Sequence, residues 1–224
     1  MPNFNKKSLL FLALFTIIGF IALQIPAATL AGSHAKFTLF DAFAPIAGGF
    51  LGSIPGAISV LIMQILNLAW HGFHITDAGT IIRLFPIMFA AIYFGRKTRF
   101  NFIIPLLAMA IFIANPVGRS VWYFSLFWLI PVVAYFYQQR SLIIRALGAT
   151  FAAHAVGGAI WIWAFHLPKT VWVGLIPIVA MERLMFAVGI IVSYLAVNNA
   201  LNWLNSKNFI NYKFPVSEKY LWSS

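Results

Sequence analysis

The hydrophobic and polar positions of this chain fall into long apolar runs that alternate with short polar or basic segments. Because about 20 apolar residues span a bilayer as a helix, we interpret each run as a membrane helix. The runs are Ser8–Ile25, Leu39–Gly52, Pro55–Trp70, Ala78–Phe94, Phe102–Ala114, Ser120–Tyr137, Leu147–Phe165 and Val171–Leu201. Leu39–Gly52 and Phe102–Ala114 are short enough to be half-helices or re-entrant segments. The predicted fold is therefore all-α: a polytopic helical membrane protein with six to eight transmembrane segments.

The stretch Phe37–His74 is almost entirely apolar and contains a regular series of small residues. They recur every four positions, at Ala44, Gly48, Gly52 and Gly56. On a helix this spacing places small side chains on one face, where another backbone can approach closely. Pro55 disfavours one unbroken helix, so the pattern predicts two spans joined by a tight turn near Gly52–Pro55.

Composition supports the membrane interpretation. Hydrophobic residues make up 62% of the chain and charged residues 8%, with a mean hydropathy of +0.91, whereas soluble domains average about 25% charged residues. The net charge of +11 comes from residues at the ends of apolar runs rather than from one patch, so we expect no nucleic-acid partner. The absence of cysteine excludes disulfides and thiolate metal sites.

The basic residues also predict an orientation. Lys6 and Lys7 precede the first run as in a signal peptide, but because the rest of the chain is also apolar, we expect this helix to be retained. With eight passes and the N-terminus inside, the cytoplasmic segments hold ten Lys and Arg and the external loops hold three, Lys36, Arg119 and Lys169. The positive-inside rule therefore favours an N-in, C-in topology. We predict one transmembrane domain, residues 1–205, and a basic cytoplasmic tail, residues 206–224.

On this topology, the polar residues gather in the outer half of the membrane or just outside it. Ionisable groups at membrane depth are unfavourable unless they pair or line a wet cavity, so the pattern indicates an outward-facing polar pocket. The predicted substrate-binding residues are Asp41, Asn67, His71, His74, Arg83, Arg119, His154, Glu182 and Arg183.

Several polar residues of the outer half could instead have a purely structural role. Asp77 could simply cap a helix, Arg119 could anchor a helix end, and His154 could be a hydrogen-bonded core residue. His71 and His74, at i and i+3, could share a metal on one helical face, although we assign no metal site. Glu182 and Arg183 are sequence neighbours that project about 100° apart, so we expect their partners on other helices.

Several enzymatic motifs are absent from the sequence. There is no G-x-x-x-x-G-K-[ST] phosphate loop, no H-E-x-x-H and no G-x-S-x-G, so ATP hydrolysis by a phosphate loop is excluded. We assign no catalytic residue and no cofactor. Energy for any transport would come from ion gradients or from partner subunits.

The segment from Phe37, F-x-L-F-D-A-F-A-P-I-A-G-G-F-L-G-x-x-x-G, resembles the substrate-binding S components of energy-coupling factor (ECF) transporters. Ala27 and Ala31 are similar to the family's A-x-x-x-A coupling motif on the first helix. The resemblance implies a multi-pass protein of a prokaryotic cytoplasmic membrane that captures a scarce, vitamin-like nutrient from outside. It also implies a transmembrane coupling subunit and two ATPase subunits as partners, with the Ala44–Gly56 strip as a contact surface.

The main hypothesis is therefore a non-enzymatic, substrate-binding subunit of an uptake transporter, in contact with membrane lipid. One alternative is a membrane enzyme that uses Glu182, His154 and Arg119 on a lipid-linked substrate. Another is a stand-alone secondary transporter or a membrane scaffold, because short helices broken by Pro and Gly are typical of transporters.

Overall fold

The computed structural model describes residues 6–206 and 216–222, with side chains described from residue 13 onward. Helix α1 is followed by two antiparallel strands and ten further α-helices, with a 3-10 helix before the ninth α-helix and another in the tail. The elements are α1 (Lys6–Leu23), β1 (Pro26–Thr29), β2 (Lys36–Thr38), α2 (Phe40–Phe43), α3 (Ile46–Leu51), α4 (Ser53–Trp70), α5 (Ala78–Ile82), α6 (Pro86–Gly95), α7 (Arg99–Ala114), α8 (Pro116–Ser120), a 3-10 helix (Trp122–Trp128), α9 (Leu129–Tyr137), α10 (Leu142–Phe165), α11 (Lys169–Ser206) and a second 3-10 helix (Glu218–Tyr220).

The all-α prediction is confirmed, and the apolar runs coincide with helices or with pairs of short helices. Four helical stretches are long and apolar enough to cross a membrane: Ser53–Trp70, Ala78–Gly95, Leu142–Phe165 and Lys169–Ser206. Shorter apolar stretches are Ala13–Leu23, Phe40–Leu51, Arg99–Ala114 and Trp122–Tyr137. These helices are those of a membrane protein.

The predicted turn near Gly52–Pro55 is confirmed. Helix α3 ends at Leu51 and α4 begins at Ser53, and the residue between them, Gly52, has φ +94°. This left-handed conformation is easy only for glycine, so the chain reverses direction there without strain.

The small-residue strip is an internal contact rather than an exposed surface. Ala44, Gly48 and Gly56 are buried. A Cβ atom on Gly48 would collide with the carbonyl oxygen of Ala91 in α6, and one on Gly56 would collide with the backbone of Gly48. The strip, with Gly52 at its turn, lets α3, α4 and α6 approach closely. This corrects the predicted role of the strip as a surface for a partner subunit.

The break between α5 and α6 follows from Pro86, which has no N–H to continue the helix. Arg83 lies in this break. The carbonyl of Leu84 has left the helical ladder and accepts a hydrogen bond of 3.1 Å from Nε2 of the buried Gln64 on α4. A side chain from another helix thus stabilises the kink that positions Arg83.

The β1–β2 hairpin lies at one end of the helix bundle, which we call the hairpin end. The strands pair antiparallel, with Ala28 opposite Phe37 and an irregularity between Pro26 and Ala28. Ala31, just after β1, accepts a hydrogen bond of 3.0 Å from Nε1 of Trp161 near the end of α10. The hairpin, the only strand structure in the described residues, is thereby fixed to the helices.

The opposite end, which we call the tail end, is closed by the described part of the predicted tail, residues 216–222. Asn198 on α11 accepts a hydrogen bond from the backbone N–H of Ser217 (2.8 Å) and donates one to its carbonyl (3.1 Å). Asn199 makes a similar pair of bonds with Trp222 and Tyr220. Residues 216–222 are therefore bound to α11 at this end, and residues 207–215 lie outside the described residues.

Candidate functional site

A cavity of about 500 Å³ lies near the hairpin end. Its walls come from the hairpin, from α2, from the α5–α6 break, from the first 3-10 helix, and from α10 and α11. Such a volume is typical of small-molecule sites. Five of the nine predicted binding residues line it together: Asp41, Arg83, His154, Glu182 and Arg183.

The other four predicted binding residues do not line the cavity. Asn67 accepts a hydrogen bond of 2.6 Å from Gln24 at the contact between α1 and α4. His71, His74 and Arg119 are exposed. The prediction that these four share the site with the other five is corrected, because residues in one half of the membrane can still face different sides of a bundle.

The possible metal pair His71 and His74 does not share a helical face. Helix α4 ends at Trp70, Nδ1 of His71 contacts the carbonyl of Asn67 at 2.8 Å, and Phe73 between the two histidines has φ +53°. Among the described residues, no three His, Asp or Glu side chains form a group that could hold a metal ion.

Ala27 and Ala31 do not form the predicted helical motif. Helix α1 ends at Leu23, before Pro26, and Ala27 lies within β1. Ala31 instead lines the cavity and contacts Trp161 as described above. The prediction of an A-x-x-x-A face on the first helix is therefore wrong, because a four-residue spacing defines a shared face only in a helix.

Asp41 and Arg83 form a direct ion pair at one side of the cavity. Nη2 of Arg83 donates to Oδ2 of Asp41 at 2.9 Å. The same carboxylate oxygen accepts the backbone N–H of Thr38 at 2.8 Å, which connects α2 to strand β2. The pair lies 42 positions apart in sequence and is mostly buried, with side-chain exposures of 12% and 19%. It ties the hairpin, α2 and the α5–α6 break together.

Arg183 is the most unusual residue of the site, because it is buried without a hydrogen bond for two of its nitrogen atoms. The residue is 3% exposed, and its Nε and Nη2 atoms have no partner. Its guanidinium lies 4.6 Å from the ring centroid of Phe37 and 4.8 Å from that of Phe186. These cation–π contacts hold the group in place without using its N–H donors.

Glu182 approaches Arg183 without a hydrogen bond. Oε2 of Glu182 lies 3.6 Å from Nη2 of Arg183, which is within electrostatic range but longer than a hydrogen bond. The expectation that both residues find their charged partners on other helices is wrong: the charged contact is between the two neighbours, and other elements contribute aromatic rings. The Glu182 carboxylate is an acceptor available at the cavity wall.

His154 is both a hydrogen-bonded core residue and a cavity residue. Its Nδ1 accepts a hydrogen bond of 3.0 Å from Nε1–H of Trp128. Since an indole N–H only donates, Nδ1 carries no hydrogen, and the ring is the neutral tautomer with its proton on Nε2. His154 therefore contributes no net charge to the cavity.

Aromatic side chains that were not predicted as site residues form much of the cavity wall. They are Phe37, Phe124, Trp161 and Trp172. Trp172 is 2% exposed and its Nε1 has no hydrogen-bond partner. For Trp161 and Trp172 a signal was present in the sequence. Trp161 follows His154 by seven positions, and Arg183 follows Trp172 by eleven. On a helix, each of these spacings places the two residues on the same face.

Outside the spanning helices, Asp77 connects the hairpin to the start of α5. Its carboxylate accepts from Ser33 Oγ (2.7 Å), the His34 backbone N–H (2.8 Å) and the Thr80 backbone N–H (3.2 Å). Partial burial raises the pKa of Asp77, but the hydrogen bonds from His34, Ser33 and the α5 backbone outweigh it, so the pKa lies below its ordinary value. The capping alternative for Asp77 is confirmed.

Comparison with protein-family models, with curated proteins and with solved structures finds no match to this chain.

Proposed function

We propose that this protein is a membrane-embedded binding subunit that captures a small, water-soluble nutrient and delivers it to an uptake transporter. The observation that carries the proposal is the cavity near the hairpin end, which brings Asp41, Arg83, His154, Glu182 and Arg183 together. Charged groups at membrane depth are rare outside functional sites. Two of the cavity residues, Arg183 and Trp172, carry buried donors that make no hydrogen bond.

The proposed orientation places the hairpin end outside and the tail end in the cytoplasm. The tail end holds basic residues on several segments: Arg96, Lys97, Arg140, Arg145 and Lys219 line or border the same region. This distribution follows the positive-inside rule. In this proposal all eight apolar stretches cross or enter the membrane of a prokaryotic cell, and both termini are cytoplasmic.

Import would depend on partner subunits that hydrolyse ATP. The chain has no phosphate-loop motif, and the Phe37–Gly56 segment resembles ECF S components, which work with a coupling subunit and ATPases. The coupling surface must differ from the two strips suggested by sequence, since Gly48 and Gly56 are buried and Ala27 lies on a strand. We assign no residues to that surface.

The alternative enzyme has less support from the site. Its third group, Arg119, lies on the short helix α8, is exposed and does not line the cavity with Glu182 and His154. Acid–base catalysis needs its groups within hydrogen-bonding reach of one substrate. The stand-alone transporter differs from our proposal only in its energy source.

The proposal is tested by what the purified protein retains. Protein purified in lipid nanodiscs from cells grown in rich medium is extracted with solvent, and the extract is analysed by mass spectrometry. We expect one small molecule near stoichiometric amounts. Glu182→Gln should reduce its retention while the melting temperature stays close to that of the wild type. Arg119→Gln, at a residue away from the cavity, serves as the matched control and should retain the molecule fully.

Absence of any retained molecule, or equal loss in the Arg119→Gln control, would contradict a binding site at this cavity.

The energy source is tested by uptake into vesicles that lack every ATPase. Uptake there would support the stand-alone transporter, and no uptake without the ATPases would support the proposed subunit.

A further inference from the structure

A second cavity, of about 440 Å³, lies at the tail end of the bundle. Its walls come from the loop between α6 and α7, from the residues after α9, from the first turn of α10, from α11 and from the tail. Basic residues from three of these segments line it: Arg96, Lys97, Arg145 and Lys219. Positive charges that surround one cavity repel one another, and an anion between them removes that repulsion.

No carboxylate of the described chain lies in the wall of this cavity. The sequence has only four acidic residues, and three of them lie at the hairpin end. Asp41 and Glu182 line the other cavity, and Asp77 is bound to the hairpin. Glu218 neighbours Lys219 in sequence, but it is exposed and does not line the cavity. The tail-end cavity therefore carries four formal positive charges, and its complement is an anion from outside the chain.

Two of the basic side chains are held at the cavity and keep donors for a ligand. Nζ of Lys219 donates to the carbonyl of Arg140 at 2.8 Å, which uses one of the three N–H donors of an ammonium group. Nζ of Lys97 lies 4.4 Å from the ring centroid of Tyr135, a cation–π contact that leaves its donors unused. Both lysines are exposed, so an anion can reach them. Arg145 instead donates to the carbonyls at the end of α6.

The tail completes this cavity. Residues 216–222 are bound to α11 as described above, and Lys219 reaches back to the carbonyl of Arg140, 79 positions earlier in the chain. The positive-inside rule explains why basic residues gather at a cytoplasmic end, but it does not require them to surround one cavity. The arrangement therefore indicates a binding site for an anion.

The rim of the cavity is continuous with exposed apolar side chains. Nζ of Lys97 lies 5.9 Å from the ring centroid of Phe136, whose side chain is 57% exposed. Trp222, three positions after Lys219, is 69% exposed. In membrane proteins, aromatic side chains of this kind lie at the boundary between lipid headgroups and acyl chains. A ligand that meets both the lysines and these rings is an amphiphile, whereas a free phosphate ion meets the lysines alone.

We propose that the tail-end cavity binds the phosphate of an anionic phospholipid headgroup, with Lys97 and Lys219 as donors to its oxygens and Phe136 beside its acyl chains. Lysine binds phosphate as a point charge, and basic pockets between membrane helices on the cytoplasmic side bind anionic headgroups. The lipid links the tail to the α6–α7 loop and stabilises the folded state by binding to it. This site is separate from the hairpin-end cavity, so its test is independent of the proposed nutrient capture.

Lipid titration tests the ligand class. The purified full chain in detergent micelles is titrated with dioctanoyl phosphatidylglycerol or dioctanoyl phosphatidylcholine, and bound lipid is counted by native mass spectrometry. We expect a one-to-one complex with phosphatidylglycerol, which weakens as the salt concentration rises, and much weaker binding of the net-neutral phosphatidylcholine. Equal binding of the two lipids would overturn the proposal.

Inorganic phosphate distinguishes a lipid site from a site for free anions. Added at the same concentration as phosphatidylglycerol, it should displace little of the bound lipid, because it makes no apolar contact. Complete displacement would show that the cavity binds a free anion and would overturn the assignment to a lipid.

Paired double variants separate the cavity from the general positive charge of this end. Lys97→Gln with Lys219→Gln removes two charges from the cavity. Arg99→Gln with Arg140→Gln removes two exposed charges that do not line it and keeps the backbone carbonyl that Lys219 contacts. We expect the first pair to lower the affinity for phosphatidylglycerol about 30-fold and the control pair to change it little. Equal losses in the two pairs would contradict a site at this cavity.

A single variant keeps the test informative if the loss of the contact from Lys219 to Arg140 unfolds the tail end. The melting temperature in micelles without anionic lipid reports such unfolding. Lys97→Gln alone leaves that contact intact, and we expect it to lower the affinity about five-fold. Unchanged affinity in this variant would overturn the proposed contact.

Discussion

Two arginines at opposite ends of the bundle, Arg183 buried and Arg145 half-buried, differ in how their hydrogen-bond donors are used. At the tail end, Arg145 donates from Nε to the carbonyl of Phe94 and from Nη2 to that of Gly95 at 3.0 Å, and its guanidinium lies 4.1 Å from the Phe94 ring centroid. At the cavity, Arg183 also lies against aromatic rings, but its Nε and Nη2 make no hydrogen bond, and the nearest carboxylate oxygen, Oε2 of Glu182, lies 3.6 Å from Nη2.

This difference agrees with a structural role for Arg145 and with the proposed binding role of Arg183. The donors of Arg145 satisfy carbonyls at the end of α6, which have no partner within the helix, so this residue closes the tail end. Nε and Nη2 of Arg183 are enclosed near the rings of Phe37 and Phe186 and make no hydrogen bond. We therefore interpret Arg145 as a structural residue of the tail end, and we propose a binding role for Arg183 because it lines the cavity.

The largest expected effect is on stability, from Arg145→Met. Methionine fills part of the volume but leaves the carbonyls of the buried Phe94 and the half-buried Gly95 without their donor, so we expect a loss of roughly 3 kcal/mol in the free energy of unfolding. Chemical or thermal denaturation in detergent micelles measures this loss. Unchanged stability would show that the tail end does not depend on this contact.

A smaller loss is expected when the Asp41–Arg83 ion pair is broken from one side. Asp41→Asn leaves Arg83 partly buried without its carboxylate, and we expect a loss of roughly 2 kcal/mol. The double variant Asp41→Asn, Arg83→Met removes both charges and should recover part of that loss, with a coupling free energy that a double-mutant cycle measures. Additive effects of the two single changes would indicate that the pair does not stabilise the fold.

Trp172→Phe should change binding more than stability. The ring is retained, so contacts with Phe112 and Phe124 are kept, and the unpartnered Nε1–H is removed. We expect an unchanged or slightly higher melting temperature and an affinity that falls about five-fold, as for one neutral hydrogen bond. A clear loss of stability would mean that Nε1 already has a partner in the free protein.

The smallest expected effect is the pH dependence from Asp77. Because its pKa is lower in the folded protein than its ordinary value of 3.8, the folded state binds this proton less readily than the unfolded state. Its stabilising contribution is therefore complete above about pH 4 and is lost as the pH falls through the lower folded pKa. In Asp77→Asn, the melting temperature measured by thermal denaturation should depend less on pH in this acidic range. If the pH dependence is the same as in the wild type, the lowered pKa of Asp77 is contradicted.

The sequence was sufficient for the elements of the fold and for part of the site. Apolar run lengths predicted the helices, and Gly52 with Pro55 predicted the turn between α3 and α4, because both depend on local chain properties. Asp41 and Arg83 were recognised because a charge inside an apolar run has few structural explanations.

The sequence was insufficient where the outcome depends on which way a side chain faces. Asn67, His71 and Arg119 occupy the same half of the molecule as the cavity but point elsewhere, and membrane depth carries no information about direction. Two residues of the small-residue strip, Gly48 and Gly56, lie on helices, but the close approach of Gly48 to Ala91 follows from the tertiary arrangement. The burial of Arg183 against Phe37 and Phe186 likewise depends on the tertiary arrangement.

The most direct test of the account compares Arg183→Met with Arg145→Met, measuring both unfolding and binding of the retained compound. We predict that Arg183→Met loses at least about 10-fold in affinity with little change in melting temperature, and that Arg145→Met shows the reverse. Loss of stability without loss of affinity in Arg183→Met would contradict the proposal that this arginine is part of the binding site.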